Sequence, residues 1–261
     1  MLNFELYNPV RIIFGPGEAE NIGKYTKEYG TKAMLVTYDV HDFFNELLAK
    51  LDKSFKDAGV TVTEFFKVKP NPRLSDIEEA IDICRKEGIE VIVALGGGSV
   101  MDSAKAIGAG VKYDGDPWKM FVSRHDKAVA VPPTDTLPTI MIPTKSATSS
   151  ETNNVAVATN NRTHEKAYIW APVLYPKICV MDPCVTATLP KFPMAAGAVD
   201  AMSHVLEAYL NGDQNSPVQD RCHEGLLMAV MDLIRKIFKD PDDIQARASL
   251  QWASTLTWNG Y

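Results

Sequence analysis

Asp200 and His204 stand four residues apart in AGAVDAMSHVLEAY (196–209), a segment with no helix breaker between them. At 3.6 residues per turn such a pair shares one helical face, so a carboxylate and an imidazole can converge on one ion. Asp and His without Cys suit a borderline divalent cation such as Fe(II) or Zn(II). In redox chemistry that cation polarises an alcohol or carbonyl oxygen while a hydride passes to a cofactor. The spacing is also that of a polar helical face with a satisfied histidine, and two ligands do not complete a metal site.

A second feature lies a hundred residues earlier. VIVALGGGSVMDSAKAIG (91–108) reads as a strand, a glycine turn and a helix. The consecutive glycines let the backbone approach a diphosphate, and the helix N-terminus offers N–H donors and the positive end of its dipole. Met101 stands where the third glycine of GxGxxG would be, and the Lys-Ser/Thr pair of a P-loop is missing. The structural alternative is a tight turn with Ser99 as N-cap and Asp102 closing a capping box. Asp39 follows the strand AMLVTY, where a carboxylate accepts ribose hydroxyls and repels a 2′-phosphate, or simply caps the next helix. The hydroxyl-dense run Ile142–Glu151 lines a polar cleft or forms a solvated loop. Lys166 in HEKAYIW, at the entrance to a β-rich run, is a solvated charge or a contact to cofactor ribose or phosphate.

The elements that must position these groups alternate β and α from 1 to 186. Strands are expected at 10–15, 33–38, 62–66, 91–96, 139–143, 154–159 and 177–182, and helices near 17–29, 42–58, 75–88 and 99–111. Apolar, β-branched strands between amphipathic segments imply an open parallel sheet covered on both faces, which binds ligands at the carboxyl ends of its strands. Helices alone follow, at 191–211, 217–238 and 243–258. The fold class is thus α/β: a dinucleotide-binding domain over 1–186, then an incomplete all-helical metal and substrate domain over 187–261.

The chain of 261 residues carries a formal charge of −6, which excludes the basic footprint of a nucleic-acid binder. No apolar run is long enough to span a membrane. The beginning MLNFELYNPVRIIFG shows no leader pattern, so the cytoplasm is the expected location. Cys84, Cys179, Cys184 and Cys222 form no CxxC pair and read as thiols. His41, His125, His164 and His223 show no ligand spacing and read as surface or locally bonded residues.

Together the motifs resemble the iron-containing alcohol dehydrogenase family, in particular its butanol-dehydrogenase and aldehyde-reductase-like branch. The resemblance runs from FELYNPVRIIFGPG through Lys69-Pro70-Asn71-Pro72, GGGSVMDSAKAIG, the 142–151 stretch, DPCVTATLP and GAVDAMSHVLEAY to LQWASTLTWNG. It implies that Gly97, Gly98 and Ser99 hold the pyrophosphate of NAD or NADP with Asp102 beside them. Thr144, Thr148 and Lys166 add contacts, Asn71 approaches the adenosine side, and Val185, Thr188 and Leu189 border the nicotinamide. Asp39 favours NAD, although NADP-using branch members carry small residues near this position. Asp200 and His204 match the first two metal ligands, for Fe(II) or Zn(II). The implied activity is metal-dependent hydride transfer between small primary alcohols, butanol-like, and aldehydes; no catalytic acid or base is identified. The resemblance also implies a homodimer, with residues 1–15 pairing across it.

Two departures stand out. Ser149 replaces a glycine of the family's Thr-Gly-Ser-Glu run and Lys145 an uncharged residue; a serine there is strained if its φ is positive. The family draws two further histidine ligands from later helices, and none follows His223, so the chain reads as C-terminally shortened. That leaves a second expectation, a catalytically silent nucleotide-binding chain, and a third, a metal-dependent lyase or polyol dehydrogenase of the same fold.

Overall fold

The computed structural model describes residues 3, 5–124, 130–211 and 216–258; His125 lies outside them. Six parallel strands form one sheet: β1 (Arg11–Phe14), β2 (Lys32–Tyr38), β3 (Thr61–Val68), β4 (Val91–Gly96), β5 (Thr139–Pro143) and β8 (Ile178–Met181), in the order β1-β8-β5-β4-β2-β3. The central strand VIVALG is buried at every residue, as a sheet covered on both faces requires. Alternate side chains serve two cores. Met34, Val36, Ile92, Ala94 and Met141 face helices α3 (Leu74–Glu87) and α4 (Gly98–Lys112). Ala33, Leu35, Val91, Val93, Leu95 and Ile140 face α1 (Ile22–Lys27) and α2 (Asn45–Ala58). Leu74, Ile77, Ile81 and Cys84 of α3, three and four residues apart, are the buried stripe expected of an amphipathic helix.

Strand order reverses at β2. The chain moves outward from β2 to β3, then returns to place β4 on the other flank of β2. Such a reversal leaves a crevice at the carboxyl ends of the two strands. Asp39, Gly97 and Thr144 are the residues that directly follow β2, β4 and β5.

The stretch expected as a strand at 154–159 does not join this sheet. It forms β6 (Val155–Asn160), an antiparallel hairpin with β7 (Glu165–Trp170), the β-rich run that Lys166 enters and that was not among the expected strands. The burial patterns explain the difference. In β6 every second residue is buried, and β7 alternates buried and exposed throughout, so each has one face on the core and one towards solvent. The hairpin's buried residues Ala158, Ala167 and Ile169 pack into the α4 core.

Beyond β8 the described chain is helical: α5 (Lys191–Asn211), α6 (Pro217–Lys239) and α7 (Ile244–Leu256), joined around Met194, Ala198, Val230, Ile237, Ala246, Leu250 and Ala253. Gly197, Ala201 and Val205 form the buried stripe of α5, and Asp200 and His204 flank it half-buried. Gly197 sets how closely α5 approaches the sheet: a Cβ there would lie 2.4 Å from the Ser146 carbonyl oxygen. Backbone cannot yield as a flexible side chain does. Gly197→Ala is therefore expected to cost about 1–3 kcal/mol of stability, read from the urea midpoint at constant m. A variant as stable as the parent would show that α5 moves freely against the loop.

Candidate functional site

Two adjoining cavities occupy the crevice, of about 350 and 690 Å³, both in the usual range for small-ligand sites. Gly98, Ser99 and Thr148 line both. The smaller is also lined by Asn71, Asp102, Lys166, Asp200, His204 and Trp258. The larger adds Tyr38, Asp39, Gly97, Thr144, Thr188 and Leu189. Residues far apart in sequence, including the triple-glycine turn and the Asp200–His204 pair, thus meet in one gap.

Helix α4 begins at Gly98, two residues earlier than a serine cap at Ser99 would place it. Gly97 is the extended N-cap residue, with no side-chain cap, and Ser99 already lies in the first turn. The capping-box alternative is therefore replaced. Asp102 does not reach back to the helix start; it accepts from Ser150 Oγ at 2.5 Å and from the Val157 N–H at 3.0 Å. Val100 and Met101 N–H groups donate to the Gly97 carbonyl, whereas those of Gly98 and Ser99 find no partner among the described residues. The Gly97 N–H donates to Tyr38 Oη at 2.9 Å, tying the turn to the end of β2. A Cβ on Gly98 would lie 2.8 Å from Thr148 Cγ2, so any larger residue would have to displace the Thr148 side chain where the turn meets the hydroxyl loop. Free N–H groups at a helix N-terminus beside small residues form a cradle for an anion.

On the opposite wall, His204 Nδ1 is buried without a hydrogen-bond partner, and its ring lies 5.3 Å from that of Trp258. A buried imidazole nitrogen left unpaired, with a carboxylate four residues earlier in the same cavity, fits a cation held by these two side chains. Among the described residues no group of three or more His, Cys, Asp and Glu converges, so the pair supplies a partial ligand set.

The other expected residues fall around this gap. Lys166 donates to Asn71 Oδ1 at 3.2 Å, and Asn71 has a left-handed backbone, φ 60°. Asp39 is exposed at the rim, 3.7 Å from Lys69. Val185 stands apart. It is buried in the α2 core and lines a neighbouring cavity with Cys184 and Leu47, which meets the larger one at Thr188. His223, read from sequence as a surface or locally bonded residue, is buried, its ring 6.2 Å from that of Tyr209 and its Nδ1 without a hydrogen-bond partner among the described residues.

Sequence reasoning missed the buried polar layer beneath the cleft. Lys105 is fully buried and its Nζ donates to Ser150 Oγ, Asn153 Oδ1 and the Val155 carbonyl at 2.8–2.9 Å. Its signal was present: a lone cation in a run of alanine and glycine, three residues after Asp102 and so on the same face. Burial pushes the Lys105 ammonium down to about 8 and the Asp102 carboxyl upward, each partly opposed by the other's charge. Glu151 is buried as well, raised by desolvation, and accepts from Thr255 Oγ1 at 2.6 Å. Gln251 Nε2 donates to the Pro143 carbonyl and Ser149 Oγ to the Ser254 carbonyl, so α7 grips the hydroxyl loop at several points.

The chain matches the family model for iron-containing alcohol dehydrogenase over residues 9–183 and that for the family's C-terminal part over 194–260. The chain belongs to the iron-containing alcohol dehydrogenase family. It is 38% identical over its whole length to a probable NADH-dependent butanol dehydrogenase 1 of Bacillus subtilis and 37% identical to NADH-dependent butanol dehydrogenase A of Clostridium acetobutylicum. The chain spans 66% and 65% of the lengths of these two relatives. The crystal structure of NADH-dependent butanol dehydrogenase A from Thermotoga maritima superposes with a TM-score of 0.91 at 38% identity, over 99% of this chain and 63% of that one.

Ser149, which the family resemblance sets in the place of a glycine, has φ 53° and is fully buried. The strain foreseen for a positive φ is present, offset by its 2.6 Å bond to Ser254. Ser149→Ala should lose about 1 kcal/mol or more, keeping the left-handed strain without the bond. Ser149→Gly loses the same bond but not its backbone fit, and should rank about 1 kcal/mol above the alanine variant in denaturant titrations. Equal stabilities would remove the strain argument.

Proposed function

We propose that this chain is the nucleotide-binding and metal-binding part of an NAD(P)-linked oxidoreductase acting on small primary alcohols and aldehydes. The observation that carries the reading is the shared cavity in which the Gly98–Ser99 end of α4 meets Asp200 and His204. The relatives' names, NADH-dependent butanol dehydrogenases, support the substrate class.

In this reading the Gly98 and Ser99 N–H groups hold the cofactor diphosphate, and Asp102 keeps the adjoining loop in place. Thr144, Thr148, Asn71 and Lys166 fix the ribose and phosphate groups. Thr188 and Leu189, with Pro190 and Pro193, form the apolar wall that keeps water from the nicotinamide end. Asp200 and His204 hold a divalent cation. When bound, the nicotinamide takes or gives the hydride and the cation polarises the substrate oxygen.

The purified chain supplied with Fe(II) or Zn(II) is expected to oxidise NADH in the presence of butanal. Asp200→Ala and His204→Ala should each lower that rate by about 100-fold while leaving NADH affinity within about three-fold. NADH affinity falling with the rate in both variants would separate the pair from the metal role.

Asp39 bears on the choice of cofactor. In this reading its carboxylate, on the lining of the larger cavity, repels a 2′-phosphate, with Lys69 3.7 Å away offsetting part of that charge. Asp39→Ala should raise the affinity for NADPH relative to NADH by about ten-fold, measured by competition binding. An unchanged ratio would move that selection elsewhere.

A second reading is favoured by the partial ligand set: a nucleotide-binding chain that turns nothing over. Calorimetry distinguishes it, since it requires NADH binding without stoichiometric metal uptake.

A further inference from the structure

Lys105 lines neither cavity of the cleft, yet its ammonium holds three residues that do. Ser150, Asn153 and Val155 all line the smaller cavity, and each accepts one hydrogen bond from Lys105 Nζ. Ser150 in turn donates to Asp102, another lining residue, whose second oxygen accepts from Val157, a fifth. We propose that Lys105 is a positioning residue for the dinucleotide, shaping one wall of its cavity by fastening segment 150–155 to α4 without touching the ligand. This rests on the nucleotide-binding reading above.

Packing alone does not call for a lysine here. An ammonium taken out of water carries a penalty that an apolar side chain of similar length avoids. The match between donors and acceptors is what an apolar residue cannot supply: three N–H groups meet three oxygens on one short segment. The charge has a second effect. Asp102 places a buried carboxylate at the edge of a cavity assigned to a diphosphate, and Lys105 beneath it and Lys166 at the rim both offset that charge.

Deprotonation would undo the arrangement, because a neutral amine has two N–H groups for three acceptors. The charged groups around Lys105 are Asp102 on its own helix and Glu151 on the hydroxyl loop, both favouring the ammonium. Lys166 of β7 acts on Asp102, and Cys179 of β8, near Glu151, is held as a thiol well above its ordinary range. Arg85 of α3, the helix packed beside α4, is engaged by the carbonyls of Gly110, Val111 and Tyr113. Burial brings Lys105 to about 8, so the bolt is complete below that pH and loosens as pH rises through it.

The test is calorimetric titration of NADH into the full chain from neutral pH to a little above the Lys105 value. The parent should hold its affinity near neutrality and lose about ten-fold as pH passes that value. Lys105→Met should bind about ten-fold more weakly at neutral pH and show no further loss on raising it. Lys105→Arg, always charged, should bind with an affinity independent of pH over the same range. Thermal unfolding of each variant checks the fold, and should the methionine variant not fold, the parent and arginine profiles decide alone. A folded methionine variant that binds like the parent, or a parent and an arginine variant with the same pH profile, overturns the proposal. A parent that binds no NADH at any pH overturns the nucleotide reading itself and the proposal with it, an outcome distinct from the other two.

Discussion

The closeness of the α4 N-terminus to the hydroxyl loop governs the rest of the cleft. Gly98 and Thr148 approach so nearly that one added carbon would collide, and both cavities share this contact. A loop held this tightly against a helix needs its own polar groups satisfied without water. Asp102 and Lys105, three residues apart and hence on one face of α4, satisfy Ser150, Asn153, Val155 and Val157. The glycine turn exposes the N–H groups that every helix start leaves unpaired, and the next turn of the same helix anchors the segment 150–157 beside them.

The same loop carries the contact to the helical region. On its other side, Ser149, Glu151 and the end of β5 bond to Ser254, Thr255 and Gln251 of α7. Arg247 of α7 is buried and donates to the Thr186 carbonyl, just before Thr188 and Leu189 enter the cleft wall. A helix held by backbone carbonyls and buried hydroxyls is positioned by direction as well as by contact, which apolar packing alone does not provide. α7 packs with α5 around Met194, Ala198 and Leu250, so this anchorage also sets where Asp200 and His204 point. The two halves therefore act as one scaffold for the gap between them.

Legibility differed by element for physical reasons. Strands β2, β4, β5 and β8 are short apolar runs between turn signals, and periodicity reads them directly. Helices α5, α6 and α7 appear at or within two residues of their expected bounds, because Asn211, Pro217 and Asp243 punctuate them. The hairpin partner β7 is legible only as a β-rich run after Lys166, because Glu165 and Lys166 mask a two-residue alternation that becomes plain only when one face is seen to be buried. Ser99 looked like a cap because serine before an apolar helix commonly is one. An extended Gly97 starts the helix two residues earlier with no side chain, and Asp102 is drawn away by Ser150, forty-eight residues later.

By itself the order of residues determined the parallel α/β architecture, the helical region after it, the glycine turn and the four-residue spacing of Asp200 and His204. These are properties of local periodicity and short motifs, which lie within a few turns of chain. Tertiary structure alone decided that Lys105 is buried rather than solvated, that Ser149 takes a left-handed backbone and that Val185 faces a neighbouring cavity. Each of those outcomes depends on partners 45 to 105 residues away or on the shape of a wall built from several elements. Burial and long-range hydrogen bonding are set by where segments meet, and no window of sequence contains that meeting.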